Sequence, residues 1–198
     1  MKILCTTLAL LALVSGAALA EPEFPRLYDV IGVDGDDVLN LRAAPSSDAE
    51  VIGDLPPDTT GIEAIAVSDN GFWLQVALPE SMGWAAAGYM KAWPRDPDAL
   101  FARSLQCGGT EPFWGLTITQ GEGALLTRME LPDTELPAGK IRPAQSAGRF
   151  FLDLGKHHAA LITAESCSDG MSDRIRGLSI SLAVDGSKAM NGCCSVTP

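Results

Sequence analysis

Val38-Leu39-Asn40-Leu41-Arg42, then Ala43-Ala44-Pro45-Ser46-Ser47-Asp48, then Val51-Ile52-Gly53-Asp54-Leu55 is a short apolar run, a Pro/Ser turn and a second short run. The same pattern continues outward. Pro56-Pro57-Asp58 makes the next turn, and Ile62 to Val67 reads as a strand with Ile62, Ala64 and Ala66 expected on one face. Asp69-Asn70-Gly71 supplies residues that tolerate positive φ in a tight turn. Phe72 to Ala77 and Gly83 to Ala86 complete the set. Five short strands at close spacing, with little helical period, predict a small β-barrel.

These residues also carry a family likeness. Leu39-Asn40-Leu41-Arg42 with Pro45 and Ser46, Val51 to Leu55, Gly71-Phe72-Trp73-Leu74-Gln75-Val76, and Gly83-Trp84 before Tyr89-Met90 resemble the bacterial SH3 (SH3b) domain. The likeness covers about a third of the chain, in the family's order. Asp58 stands where that family usually has Gly, and Ala85 where it commonly has Val. The resemblance implies a compact barrel that recognises peptides, often those of the cell wall. Candidate ligand contacts are Trp73, Trp84, Tyr89, Asp69 and Arg42. Flat aromatic rings with a polar handle suit a shallow groove, and an acidic groove would attract an amine. Against that, alternation turns one of Trp73 and its neighbours inward, and Arg42 reads equally well as a pin for the adjoining turn.

The chain has 198 residues with a net charge of −11, 46% hydrophobic and 20% charged residues. That balance argues for packed structure rather than disorder. The acid excess repels phosphate backbones and anionic lipid, so neither nucleic acid nor an acidic membrane surface is an expected partner. Met1-Lys2, the apolar run Ile3 to Val14 and Ala18-Leu19-Ala20 read as a signal peptide over 1–20, cleaved before Glu21. The run is short for a spanning helix, and no later stretch could span a membrane. The expected location is secreted, in the periplasm. Cys107, Cys167, Cys193 and Cys194 then remain, an even number that suggests two disulfides. Adjacent residues on a strand face opposite ways, so Cys193 and Cys194 should take separate partners, one Cys107 and the other Cys167.

All four follow residue 100. Pro94-Arg95-Asp96-Pro97-Asp98 disfavours both helix and sheet, which divides the chain into an SH3b-like domain at 27–93, a linker at 94–100 and a second domain at 101–198. In the second part Trp114, Leu116 and Ile118 alternate with small or polar residues. Further strands are expected at Gly123 to Leu131, Arg149 to Leu154 and Ala159 to Ala164, with a Pro-rich loop from Pro132 to Pro143. Leu178, Ile180, Leu182 and Val184 alternate up to the hairpin signal Asp185-Gly186, which leads into Ser187 to Cys193. The fold class is therefore all-β: an SH3-like barrel and a second antiparallel β-barrel or sandwich with disulfides.

Thr110-Glu111-Pro112-Phe113-Trp114, Cys167-Ser168-Asp169-Gly170-Met171-Ser172-Asp173 and Gly192-Cys193-Cys194 are similar to an uncharacterised bacterial envelope domain. That likeness implies export and fold but no chemistry, and it favours pairing Cys167 with Cys193, leaving Cys107 for Cys194. Glu111, Asp169 and Asp173 are candidate acid/base carboxylates beside Trp114, set against their use in turns and backbone hydrogen bonds. His157 and His158 are adjacent and unsuited to one metal, and no phosphate loop, dinucleotide fingerprint or Ca²⁺ loop occurs, so no metal and no cofactor are expected. The expected function is an exported, non-enzymatic envelope binding protein. Its SH3b-like module recognises cell-wall peptide or a protein partner, and its second domain is scaffold or second surface. The alternative is an envelope hydrolase using the second domain's carboxylates, and a further possibility is a carrier using the interior of that barrel.

Overall fold

A computed structural model describes residues 23–186 and 189–198. The signal-peptide reading of 1–20 and the start of the return strand at Ser187 lie outside the described residues. The chain forms β1 (Arg26–Val30), β2 (Leu39–Arg42), β3 (Val51–Leu55), β4 (Ile62–Val67), β5 (Trp73–Ala77), β6 (Met82–Ala86), a 3-10 turn (Ala87–Tyr89) and β7 (Met90–Ala92). After the polar segment come β8 (Ser104–Thr110), β9 (Phe113–Thr119), β10 (Gly123–Arg128), β11 (Leu131–Leu136) and β12 (Arg142–Pro143). The last four are β13 (Arg149–Asp153), β14 (Ala159–Cys167), β15 (Arg176–Ala183) and β16 (Met190–Thr197). The fold is all-β, with two antiparallel sheets ordered β3-β2-β6-β5-β4-β1-β7 and β11-β10-β9-β8-β16-β15-β14-β13-β12. Among the described residues, no helix is long and apolar enough to cross a membrane.

The first sheet gathers Tyr28, Val30, Leu39, Leu41, Ala64, Leu74, Val76, Ala85 and Met90 into one core. Ala85 is fully buried, so a larger side chain there would need room from its neighbours. The expected common face of Ile62, Ala64 and Ala66 forms only in part: Ile62 and Ala64 face the first core, and Ala66 does not. Pairing with β5 shifts between Ala64 and Ala66, and this bulge breaks the alternation, leaving Ala64 buried with Ile62 and Ala66 only half-buried.

In the second sheet the alternating residues point inward as expected, and Leu105, Leu116, Ile118, Leu126, Leu152, Ile162, Leu178, Ile180 and Leu182 fill the interior. These side chains occupy the space in which a carried ligand would lie. The two edge strands are joined by residues 137–141. There Gly139 donates to Asp153 O (2.9 Å) and accepts from Gly121 N (3.3 Å), so the nine strands wrap one core. The stretch expected as a Pro-rich loop from Pro132 instead carries β11. Pro132 is tolerated because β11 is an edge strand.

The two sheets lie against each other. Leu27 on β1 and Trp93 after β7 pack on the second core, while Tyr28 and Val30 on β1 face the first. Trp93 Nε1 donates to Asp29 Oδ1 (2.6 Å), and Arg26 donates through Nε and Nη2 to Trp93 O (3.1 and 2.6 Å). Disulfides join Cys107 to Cys194 and Cys167 to Cys193. The adjacent cysteines of β16 thus face opposite ways: Cys194 toward the core and Cys193 toward the outer side of the sheet.

Candidate functional site

On the first sheet the turn between β4 and β5 aims the aromatic residues. Gly71 has φ +76°, a conformation that favours glycine. The Ser68 hydroxyl donates to Asn70 Oδ1 (2.7 Å), which also accepts from Phe72 N (3.0 Å), while Ser68 Oγ accepts from Trp73 N (3.1 Å). Two side chains thereby fix the backbone on either side of Phe72. Leu74 and Val76 then turn inward, which places Trp73 and Gln75 on the opposite face, and on β6 Gly83 and Ala85 turn inward and place Trp84 there too.

The register brings these residues together. Trp84 sits opposite Gln75 on one side and Arg42 on the other, and Trp73 is opposite Ala86, diagonal to Trp84. Both indoles are half-buried. Arg42 Nη1 donates to Ala49 O (2.7 Å), so its head group also ties down the turn after β2. At the end of this row Ala87 N donates to Phe72 O (2.9 Å), which places the 3-10 turn bearing Tyr89 beside the β4–β5 turn bearing Asp69. Asp69 is exposed, Tyr89 is 47% exposed and Phe72 71%. Phe72 escapes a reading by alternation, because it was expected to open a strand and instead lies in the turn just before β5. The turn chemistry of Ser68 and Asn70 was the available signal.

On the second sheet Glu111 and Asp169 line one open groove of about 970 Å³ on the outer side of β14, β15 and β16. Its lining also includes Glu165, Ser179, Asn191 and the Cys167–Cys193 disulfide. The Ser179 hydroxyl donates to Glu165 Oε1 (2.5 Å). Asp169 Oδ1 accepts from Met171 N (3.0 Å) and Oδ2 from Arg176 Nη2 (3.5 Å). The Met171 amide first, with Arg176 adding to it against a small cost of burial, holds the Asp169 carboxyl below the ordinary carboxylate range. Asp169 is therefore an ionised acceptor that fastens its loop. Asp173 is exposed and does not belong to the groove lining. Trp114 is 6% exposed and lies in the core, its indole passing over Gly109 and Gly192, whose missing side chains make room for it.

His158 Nε2 lies 3.3 Å from Asp185 Oδ1 and its Nδ1 2.6 Å from Lys156 O, so the ring is engaged locally. Among the described residues, no three His, Cys, Asp or Glu side chains group as metal ligands.

No curated protein and no solved structure matches this chain. The two disulfides are consistent with a protein outside the cytoplasm. Residues 37–91 match the family described as Bacterial SH3 domain, a span that runs from before β2 to the middle of β7 and includes Arg42, Asp69, Trp73, Trp84 and Tyr89, but none of the second sheet's motifs.

Proposed function

We propose that the protein is an exported, non-enzymatic binding protein of the cell envelope. Residues 27–93 act as the recognition unit, 94–100 as the connection, and 101–198 as scaffold or second surface. Bacterial SH3 domains are commonly cell-wall or peptidoglycan binding modules, and here the matched residues include Phe72, Trp73, Trp84 and Tyr89. The observation that carries the reading is half-buried Trp73 set diagonal to half-buried Trp84, with the turns that bear exposed Phe72, Asp69 and Tyr89 joined through Ala87 N and Phe72 O at the end of that row. Such rings offer large contact area at little entropic cost, and an adjacent carboxylate favours a peptide bearing a free amine. The periplasm is the proposed location.

Co-sedimentation of the mature chain with purified cell wall tests this. Wild type is expected in the pellet, and the Trp84→Ala/Tyr89→Ala variant in the supernatant. Equal partitioning of both to the supernatant removes wall peptide as the ligand.

A hydrolase reading draws on the groove that brings Glu111 and Asp169 together. It requires a carboxylate free to exchange protons, which Glu111 would have to supply, since Asp169 is committed to Met171 and Arg176 and Glu165 to Ser179. Release of wall fragments by wild type but not by Glu111→Gln would favour it.

A further inference from the structure

Glu63 lies on β4 where the two sheets meet, and its side chain is only 7% exposed. Its Oε1 accepts a hydrogen bond from the backbone N–H of Val196 on β16 (2.8 Å). Pairing between β15 and β16 ends with Leu178 opposite Cys194, two residues short of Val196. A carboxyl group from the other sheet thus meets an amide beyond the end of that ladder. Nearby, Pro25 packs over Gly177 and Pro198 over Gly61, so the contact is part of a continuous seam.

We propose that Glu63 is a proton-operated latch between the sheets: as a neutral acid it holds β16 against β4, and as a carboxylate it weakens that docking. The second oxygen, Oε2, is buried, and no donor among the described residues reaches it, which suits a protonated group and penalises a charged one.

The surrounding charges come from few elements. On β15 and the loop before it, Arg174 and Arg176 favour the ionised form, and Arg176 is shared with Asp169. On β16 the contributors are the Val196 amide and the Ser195 hydroxyl, and the strand carries no charged side chain. On β1, Leu27 is opposite Glu63, while Arg26 is engaged by Trp93 O and Asp29 by Gly61 N and Trp93 Nε1. Facing strand β5 carries no charge. Burial outweighs all of these and pushes the Glu63 carboxyl up to about 7 from its ordinary 4.5.

A carboxyl raised in the docked state binds protons more tightly there than when released. Docking is therefore strongest below pH 4.5 and weakens as pH rises through about 7, where it levels off. The docking constant should change on the order of a hundredfold across that window.

Two measurements on the full chain test the latch. In wild type labelled with carboxyl-¹³C glutamate, the Glu63 resonance is expected to titrate with a midpoint above 6, and a midpoint near 4.5 overturns the proposal. Hydrogen exchange at the Val196 amide, corrected for intrinsic rate and referenced to Ile180, is expected to lose protection between pH 5 and 8 in wild type and to stay level in Glu63→Gln. Protection that is flat in wild type, or that falls equally in Glu63→Gln, overturns it as well. The carboxyl titration stands by itself if the variant does not fold.

Discussion

A methyl group on Gly192 has nowhere to go. It would overlap the Gly108 carbonyl and the Trp114 ring. Gly192→Ala is expected to lower stability by about 3 kcal/mol, read from the urea midpoint, since overpacking a tight site forces backbone to move. Ser68→Ala leaves the Trp73 amide without its acceptor and should cost about 1 kcal/mol. If it also weakens wall binding while the wild-type fold persists, the turn is what aims the rings. Asp169 acts with the opposite sign to Glu63. Its depressed carboxyl contributes stability that is present above pH 3.8 and lost as pH falls through its folded value. The Met171 amide should therefore lose protection below pH 3.8, where Val196 keeps the protection it gained as pH fell from about 7 to 4.5. Trp114 could be read as a strand residue from its alternation with Leu116 and Ile118, but its partners Gly109 and Gly192 lie on two other strands, so its depth was not legible locally.

Strands were legible where one face is buried and the other wet. β2 to β6 lie at or within a residue of their expected positions, because alternation and turn residues both mark them. β1 gave no such signal. Leu27 faces one core and Tyr28 and Val30 the other, so its apolar residues do not alternate. β11 was hidden by Pro132, which argues against a central strand but not an edge one. β14 runs past Ala164 to Cys167 through an irregularity, which lets Cys167 reach Cys193 across the sheet. Replacing Cys167 and Cys193 together by Ser should cost about 3 kcal/mol in urea unfolding, from the freedom regained by the unfolded segment between them. An unchanged midpoint would show that hydrogen bonding alone fixes this end of β14.

At the scale of the molecule, the sequence marked a division at Pro94 but not the seam beside it. The seam is built from single residues scattered along the chain: Leu27, Glu63, Trp93, Val196 and Pro198. No periodicity announces such a surface. Because Leu27 and Trp93 bury against the second core, a fragment of residues 23–93 should be less stable than the same sheet in the whole chain by about 3 kcal/mol. Identical urea midpoints for fragment and full chain would show that the sheets stand independently. β16 is the latest strand in chain order, yet it sits between β8 and β15 at the centre of its sheet. During synthesis, then, β8 to β11 and β12 to β15 wait as two half-sheets with open edges. In that interval, of the four cysteines that end up bonded, Cys107 and Cys167 have only each other for a partner. Oxidation in that interval would join Cys107 to Cys167, a bridge absent from the folded protein, and it would have to be exchanged once Cys193 and Cys194 arrive.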